Sequence, residues 1–365
     1  MLVQMAIGDA YGAGFEYASA EFVLANHRLT MYVQHPKHKL VPGVYTDDTQ
    51  MSIANAEVIL AGILSREAFA QAYVDCFKRD QREGYASGFY NFLCSVKDGE
   101  EFLSLMKPIS DKSGSAMRAL PFGIYPDIEV VIALATLQST ITHNSFHGIN
   151  AAVAAALMSH YFLYQLGPKS ELGAFIEKHV PGTWAEPYTI PVAQKGWMSV
   201  RSAITAIMGN DSMTEILRAS VAVTGDVDTV AALALGAAAA CSEVKQDLPE
   251  FLERDLENGA YGRDFLADLD AKLMAKMADL KAEKAASQQV AVSGPRILVV
   301  QSPEQWTGAI NSQSFLEIPT ALDVQKEENA WFAAGGDSSG KSFVEHLLAL
   351  GATRLTVEVW NINYQ

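Results

Sequence analysis

The chain has 365 residues, 49% hydrophobic and 19% charged, enough apolar material for one large packed domain plus a small one, which excludes wholesale disorder. A formal net charge of -15 excludes a nucleic-acid backbone or an anionic membrane as the main partner. A small phosphate-bearing ligand stays compatible, because a local cation or a helix N-terminus can reverse the local field.

In chain order, the start Met1-Leu2-Val3-Gln4-Met5-Ala6-Ile7 has no basic region and no long apolar stretch, which predicts no signal peptide. Helices are predicted over 51–64, 66–82, 128–139, 149–166, 193–208, 213–222 and 229–244, several of them apolar nearly all round. The stretch 144–168 carries no Lys, Arg, Asp or Glu, but Asn150, Ser159, His160 and Gln165 interrupt it. A buried core helix fits it better than a membrane span. No alternating strand pattern precedes residue 290, so the expected fold is an all-α globular core over 1–280. A last helix over 264–287 grades into a charged linker, 281–294. Residues 295–365 read as a small α/β appendage, with strands over 296–301 and 354–360 and a short helix over 342–350. The three cysteines, Cys76, Cys94 and Cys241, lack CxxC spacing and are read as reduced, buried thiols of a cytoplasmic protein.

Two segments carry the chemistry: Tyr45-Thr46-Asp47-Asp48-Thr49-Gln50-Met51 and Thr224-Gly225-Asp226-Val227-Asp228-Thr229. Each places two carboxylates and a threonine hydroxyl at a helix start. Either one alone is explained equally well by capping, since acidic first-turn residues complement the helix dipole. Two in one chain weaken that account. Converging carboxylates repel unless protons or cations neutralise them, and an oxygen-only donor set suits hard cations such as Mg²⁺ or Mn²⁺.

Weaker signals accompany them. Gly8-Asp9-Ala10-Tyr11-Gly12-Ala13-Gly14-Phe15-Glu16 is read either as punctuation between helix and loop or as a flexible loop presenting Glu16. Ser113-Gly114-Ser115-Ala116-Met117-Arg118 precedes a helix with small residues whose N–H groups suit a phosphate, or is an ordinary capped start. His143, in Thr142-His143-Asn144, is more often structural than catalytic at such a place. Gly335 to Ser342 matches the P-loop pattern letter for letter. Only 23 residues follow Ser342 (365 − 342), so a capped helix start is the expected role.

In this order, the segments from Gly8 to Thr229 resemble the ADP-ribosylglycohydrolase family. The likeness spans residues 1 to about 262; after about 290 there is no counterpart. It implies an all-α fold and a centre of two Mg²⁺ or Mn²⁺ ions, with Thr46, Asp47 and Asp48 on one side and Asp226, Asp228 and Thr229 on the other. Glu16, Asp47 and Asp228 become the catalytic candidates, and Ser113, Gly114, Ser115, Ala116 and His143 the substrate-binding ones. Lys112-Ser113-Gly114 stands where the family usually has Gly-Asn-Gly. The implied reaction is hydrolysis of the glycosidic bond between ADP-ribose and an acceptor, with ADP-ribosyl-arginine on a protein favoured and a small ADP-ribose conjugate as the other partner. A different class stays open: a non-catalytic ADP-ribose binder, or an immunity protein that blocks an ADP-ribosyltransferase.

Overall fold

The computed structural model describes residues 1–290, 296–299, 310–317 and 353–360. These divide into two compact units, Met1–Lys281 and Ala282–Gln365.

The first unit is all helical. It begins with α1 (Leu2–Ala13) and α2 (Ala20–Asn26), followed by a long loop. Next come α3 (Asp47–Ala61), α4 (Arg66–Arg79), α5 (Ser87–Ser95) and α6 (Gly99–Leu105). Two 3-10 turns, Ser113–Ser115 and Leu120–Ile124, precede α7 (Ile128–Thr140) and α8 (Phe146–Leu163). The chain continues through α9 (Leu172–Glu177), α10 (Gly196–Gly209), α11 (Met213–Ala222), α12 (Val227–Ala238) and α13 (Glu250–Arg254). Helix α14 (Arg263–Val290) carries helical structure into the stretch expected as linker.

The sequence explains these elements locally. Serine or aspartate side chains cap α2, α4, α6, α8 and α11, from Ser19, Ser65, Asp98, Ser145 and Ser212. Helix α3 ends on Gly62, whose φ of 73° supplies the left-handed cap. Helix α12 has no polar face, and each of its residues is buried, so it sits centrally. Each fully buried Leu or Val there contributes roughly 1.5–3 kcal/mol relative to exposure.

Helix α1 packs along α12 through glycines four residues apart on one face. A Cβ on Gly8 would stand 2.3 Å from the Ala231 carbonyl oxygen, and one on Gly12 would stand 2.4 Å from the Asp228 Cα. The segment expected as punctuation or a flexible loop is therefore helical through Ala13, and its glycines permit close helix contact. That contact sets Asp9 and Glu16 beside the start of α12. Helix α8 is the buried core helix expected over 144–168, and no described helix is long and apolar enough to cross a membrane. Cys76 and Cys241 are buried free thiols, whereas Cys94 is exposed on α5, contrary to the expectation of burial. Helix α5 presents only Leu93 fully to the core, which leaves Cys94 facing solvent.

The second unit contains an antiparallel sheet of β1 (Arg296–Val299), β2 (Ile310–Glu317) and β3 (Thr353–Trp360), in the order β1-β2-β3. Arg296 pairs with Glu317 and Ile310 with Trp360. Strands β1 and β3 match the expected ones, while β2 has no counterpart in the sequence reading. The helix expected over 342–350 and the P-loop-like segment lie outside the described residues.

Candidate active site: carboxylates at two helix starts

The first acidic segment is held from another helix. Thr46 is the N-cap of α3 but makes no side-chain cap. Asp9 of α1 does so instead. It accepts the Thr46 N–H at 3.0 Å, the Thr46 hydroxyl at 2.8 Å, the Thr49 N–H at 3.0 Å and the Thr49 hydroxyl at 2.6 Å. Four donors on one carboxylate satisfy the open end of the helix and fix the direction of Asp47 and Asp48. Gly84 lies against them: a Cβ there would meet Asp47 Oδ1 at 2.2 Å.

The second segment is held by strain and by hydroxyls. Thr224 and Gly225 have φ of 65° and 96°, and a Cβ on Gly225 would stand 1.9 Å from the Val192 carbonyl oxygen. Backbone bonds to Val192, at 2.9 Å from its N–H to Thr224 O and 3.0 Å from the Asp226 N–H to Val192 O, pin this turn. Asp226 accepts from the Ser199 hydroxyl at 2.9 Å and from Thr229 at 3.4 Å. Such strain, over-determined by its surroundings, concentrates at functional sites.

Glu16 joins the two segments. Its turn is tied down: the Tyr17 N–H donates to Gly225 O at 2.8 Å, and the His35 ring bonds the Glu16 carbonyl at 2.8 Å. His35 Nδ1 accepts the N–H groups of Lys37 and His38, so its Nε2 carries the proton given to Glu16. Carboxylate oxygens of Glu16, Asp226 and Asp228 all lie within 4.8 Å of one another.

Crowding and burial raise the pKa of each member. Glu16 is pushed up to about 8 by burial and then by Asp226 and Asp9. Asp9 rises to about 6 through burial, against the pull of its four donors. Burial, then neighbouring carboxylates, hold Asp47, Asp48 and Asp228 well above the usual range. Burial also raises Asp226, opposed by its hydroxyl partners. Among the described residues, none of these carboxylates is in an ion pair. Asp48 Oδ1 and Asp228 Oδ1 are buried with no hydrogen-bond partner.

A pocket of about 510 Å³ opens onto the cluster, a volume within the usual range for small-molecule sites. Its wall includes Glu16, Asp47, Asp48, Asp226, Asp228 and Thr229, together with Ser113, Gly114 and His143. The structure does not bring the remaining candidates to that wall. Thr46 gives its hydroxyl to Asp9, Ser115 gives its own to Gly148 O at 3.0 Å, and Ala116 is fully buried. Met117 and Arg118 line the cavity in their place, with Lys107, Lys112, Gln194 and the rings of Phe89 and Phe92. His143 is held neutral, its pKa lowered to about 3 by burial and by the charges of Arg118 and Lys112. Asp9 and Arg118 stood inside the quoted motifs, but their sequence positions carried no signal of a role.

The family model described as ADP-ribosylglycohydrolase matches residues 1–283. ADP-ribosylhydrolase ARH3 of Xenopus tropicalis is 26% identical over 185 residues, 47% of this chain and 52% of that protein. The human protein of that name is 30% identical over 132 residues, 33% of this chain and 35% of the relative. The Bos taurus protein is 24% identical over 275 residues, 58% and 74% of the two chains. The chain thus spans about half the length of the first of these relatives. A solved structure titled "ADP-ribosylglycohydrolase-related protein complex" superposes with a TM-score of 0.56 at 21% identity, over 74% of this chain and 94% of the other, and so shares the fold. By its matched family model, its helical fold and the order of its motifs, the chain belongs to the ADP-ribosylglycohydrolase family.

Proposed function

We propose that this protein is an enzyme that hydrolyses the glycosidic bond joining ADP-ribose to an acceptor, with a divalent-cation centre built from Asp47, Asp48, Asp226, Asp228 and Thr229. The observation that carries the reading is the pair of orphaned oxygens, Asp48 Oδ1 and Asp228 Oδ1. They are buried among carboxylates that, among the described residues, have no cationic side chain as partner. A dry, unpaired carboxylate is costly, and a bound cation offsets that cost. The donors are all oxygen, which fits two Mg²⁺ or Mn²⁺ ions. Thr46, with its hydroxyl committed to Asp9, positions the two aspartates beside it.

When bound, the ions supply a grip on the ribose hydroxyls and a lowered pKa for a coordinated water. The protein's own part follows from its geometry. Glu16, at the edge of the cluster, is the group that takes a proton from the attacking water. Burial, with Asp226 and Asp9 beside it, raises its basicity in the cation-free protein. Asp47, Asp226 and Asp228 present negative charge to a sugar that becomes cationic as the bond breaks. Lys107 and Lys112 on the same wall suit a diphosphate. The favoured substrate is ADP-ribosyl-arginine on a protein, as the family resemblance implies. The free thiols fit the reducing cytoplasm.

The test is release of free ADP-ribose from an arginine-ADP-ribosylated protein, with Mg²⁺, with Mn²⁺ and with EDTA. Release that needs the ion supports the reading. Full release in EDTA overturns the cation centre. No release from any conjugate, with ADP-ribose still bound in calorimetry, overturns hydrolysis in favour of a binder that shields ADP-ribose or blocks a transferase.

A further inference from the structure

Arg118 is a fully buried cation without a carboxylate partner among the described residues. Its Nε donates to Gln138 Oε1 at 2.6 Å, and its Nη2 donates to Gln138 O at 3.1 Å and to the Thr142 hydroxyl at 2.8 Å. The guanidinium lies 4.3 Å from the centre of the Tyr73 ring. Gln138 in turn donates to Ser115 O at 2.9 Å, which ties the set to the turn Ser113–Ser115.

The Thr142 hydroxyl oxygen stands 2.7 Å from His143 Nδ1. A guanidinium only donates, so this oxygen already accepts from Arg118. If Nδ1 carried a proton, the oxygen would accept a second time. The hydroxyl's own proton would then face no protein acceptor among the described residues and would have to turn to water in the cavity that Thr142 lines. Within the protein the bonding closes when the hydroxyl donates to Nδ1, which puts the ring proton on Nε2. That nitrogen meets Gly114, where a Cβ would stand 3.2 Å away, and the ring lines the cavity. Glycine at 114 leaves the Nε2 edge open to a ligand.

We propose that Arg118 and Thr142 are positioning residues that lock His143 as the neutral Nε2–H tautomer, so that His143 donates a hydrogen bond to a diphosphate oxygen of the bound ligand. The diphosphate rests on the function proposed above; the lock itself does not. His143 is then a fixed donor and not the proton acceptor of the reaction. Accepting a proton at Nδ1 would set that N–H against the hydroxyl proton of Thr142.

The full chain labelled with ¹⁵N-histidine tests this directly. Two-bond ¹H–¹⁵N correlations distinguish Nε2–H from Nδ1–H rings, and loss of a signal in His143→Gln identifies the ring. The wild type should show the Nε2–H pattern. Thr142→Val, which keeps the shape but removes the hydroxyl, should convert it to a mixture or to Nδ1–H, and Thr142→Ser should restore it. In calorimetry, Thr142→Val should weaken ADP-ribose binding about tenfold, the usual scale for a hydrogen bond to a charged group. Thr142→Ser should bind as the wild type does. An Nδ1–H pattern in the wild type, or no change in Thr142→Val, overturns the lock. Wild-type protein that binds neither ADP-ribose nor inorganic pyrophosphate overturns the donor role. Protein that binds pyrophosphate with the Nε2–H pattern, yet releases ADP-ribose from no conjugate, leaves this inference standing and removes the proposed function.

Discussion

The starts of α3 and α12 carry the same equipment, two aspartates and a threonine, but are held in different ways. At α3 the restraint comes from outside: Asp9, on another helix, takes four hydrogen bonds from Thr46 and Thr49. At α12 the restraint is local: two left-handed residues, Thr224 and Gly225, turn the chain into Asp226, which hydroxyls then steady. The first segment depends on how α1 packs, and the second on its own backbone. Damage should therefore spread differently from each.

The largest effect should come from breaking either side outright. Asp47→Ala or Asp228→Ala should each cut ADP-ribose release by about 10³-fold or more, the scale for loss of a preorganised electrostatic group. A steady-state assay at saturating Mg²⁺ checks it, and cuts of similar size from both sides would show that the two halves act as one centre. Asp48→Asn should separate activity from stability. It removes a buried charge, so the cation-free protein should melt higher while turnover collapses.

Next in size are the restraints themselves. Gly225→Ala should destabilise by about 2 kcal/mol or more, because its Cβ collides with the Val192 carbonyl at a positive φ. Chemical denaturation reads this. Asp9→Ala should cost about 1–2 kcal/mol as a lost cap and weaken cation affinity roughly 10–100-fold, as removal of a supporting group does. If Asp9→Ala disturbed α12 as much as α3, the external and local restraints would not be separate.

A smaller effect is set by pH. A carboxyl whose folded pKa is raised favours folding most below its unfolded pKa, and that contribution is lost as pH rises through the folded value. For Glu16 the window runs from 4.5 to about 8, and for Asp9 from 3.8 to about 6. The cation-free protein should lose roughly 5 °C of melting temperature between pH 4.5 and 8, and Mg²⁺ or Mn²⁺ should restore it. A flat profile would mean that the carboxylates are neutralised by something other than protons. Smallest of all, Ser199→Ala removes one hydroxyl from Asp226 and should cost about 1 kcal/mol with a few-fold loss of rate.

What was legible in the sequence was what is local. Asp47-Asp48 and Asp226-Val227-Asp228 each open a buried helix, the second of them apolar throughout after Thr229, so capping chemistry and helix pattern agree there. The cap from Asp9 was not legible, because it joins residues 37 and 40 positions apart. The extent of helix α1 through its glycines was hidden for a related reason. Gly8 and Gly12 lower helix propensity, and only the contact with α12 gives them a purpose. Ser115 and Ala116 were misplaced by the short turn that follows Lys112, which sends their side chains inward and Met117 and Arg118 to the cavity. Phe89 and Phe92 belong to a short helix whose single fully buried residue gives no periodic signal.

The raised carboxyls have a further consequence for how the centre fills. At neutral pH, Glu16, pushed up to about 8, retains part of its hydrogen ion, and burial biases the neighbouring aspartates toward holding theirs. A divalent ion that enters must evict them, so filling the centre is an exchange of one cation for others. Its measured heat should then change with the ionisation enthalpy of the buffer, and the slope counts the hydrogen ions expelled.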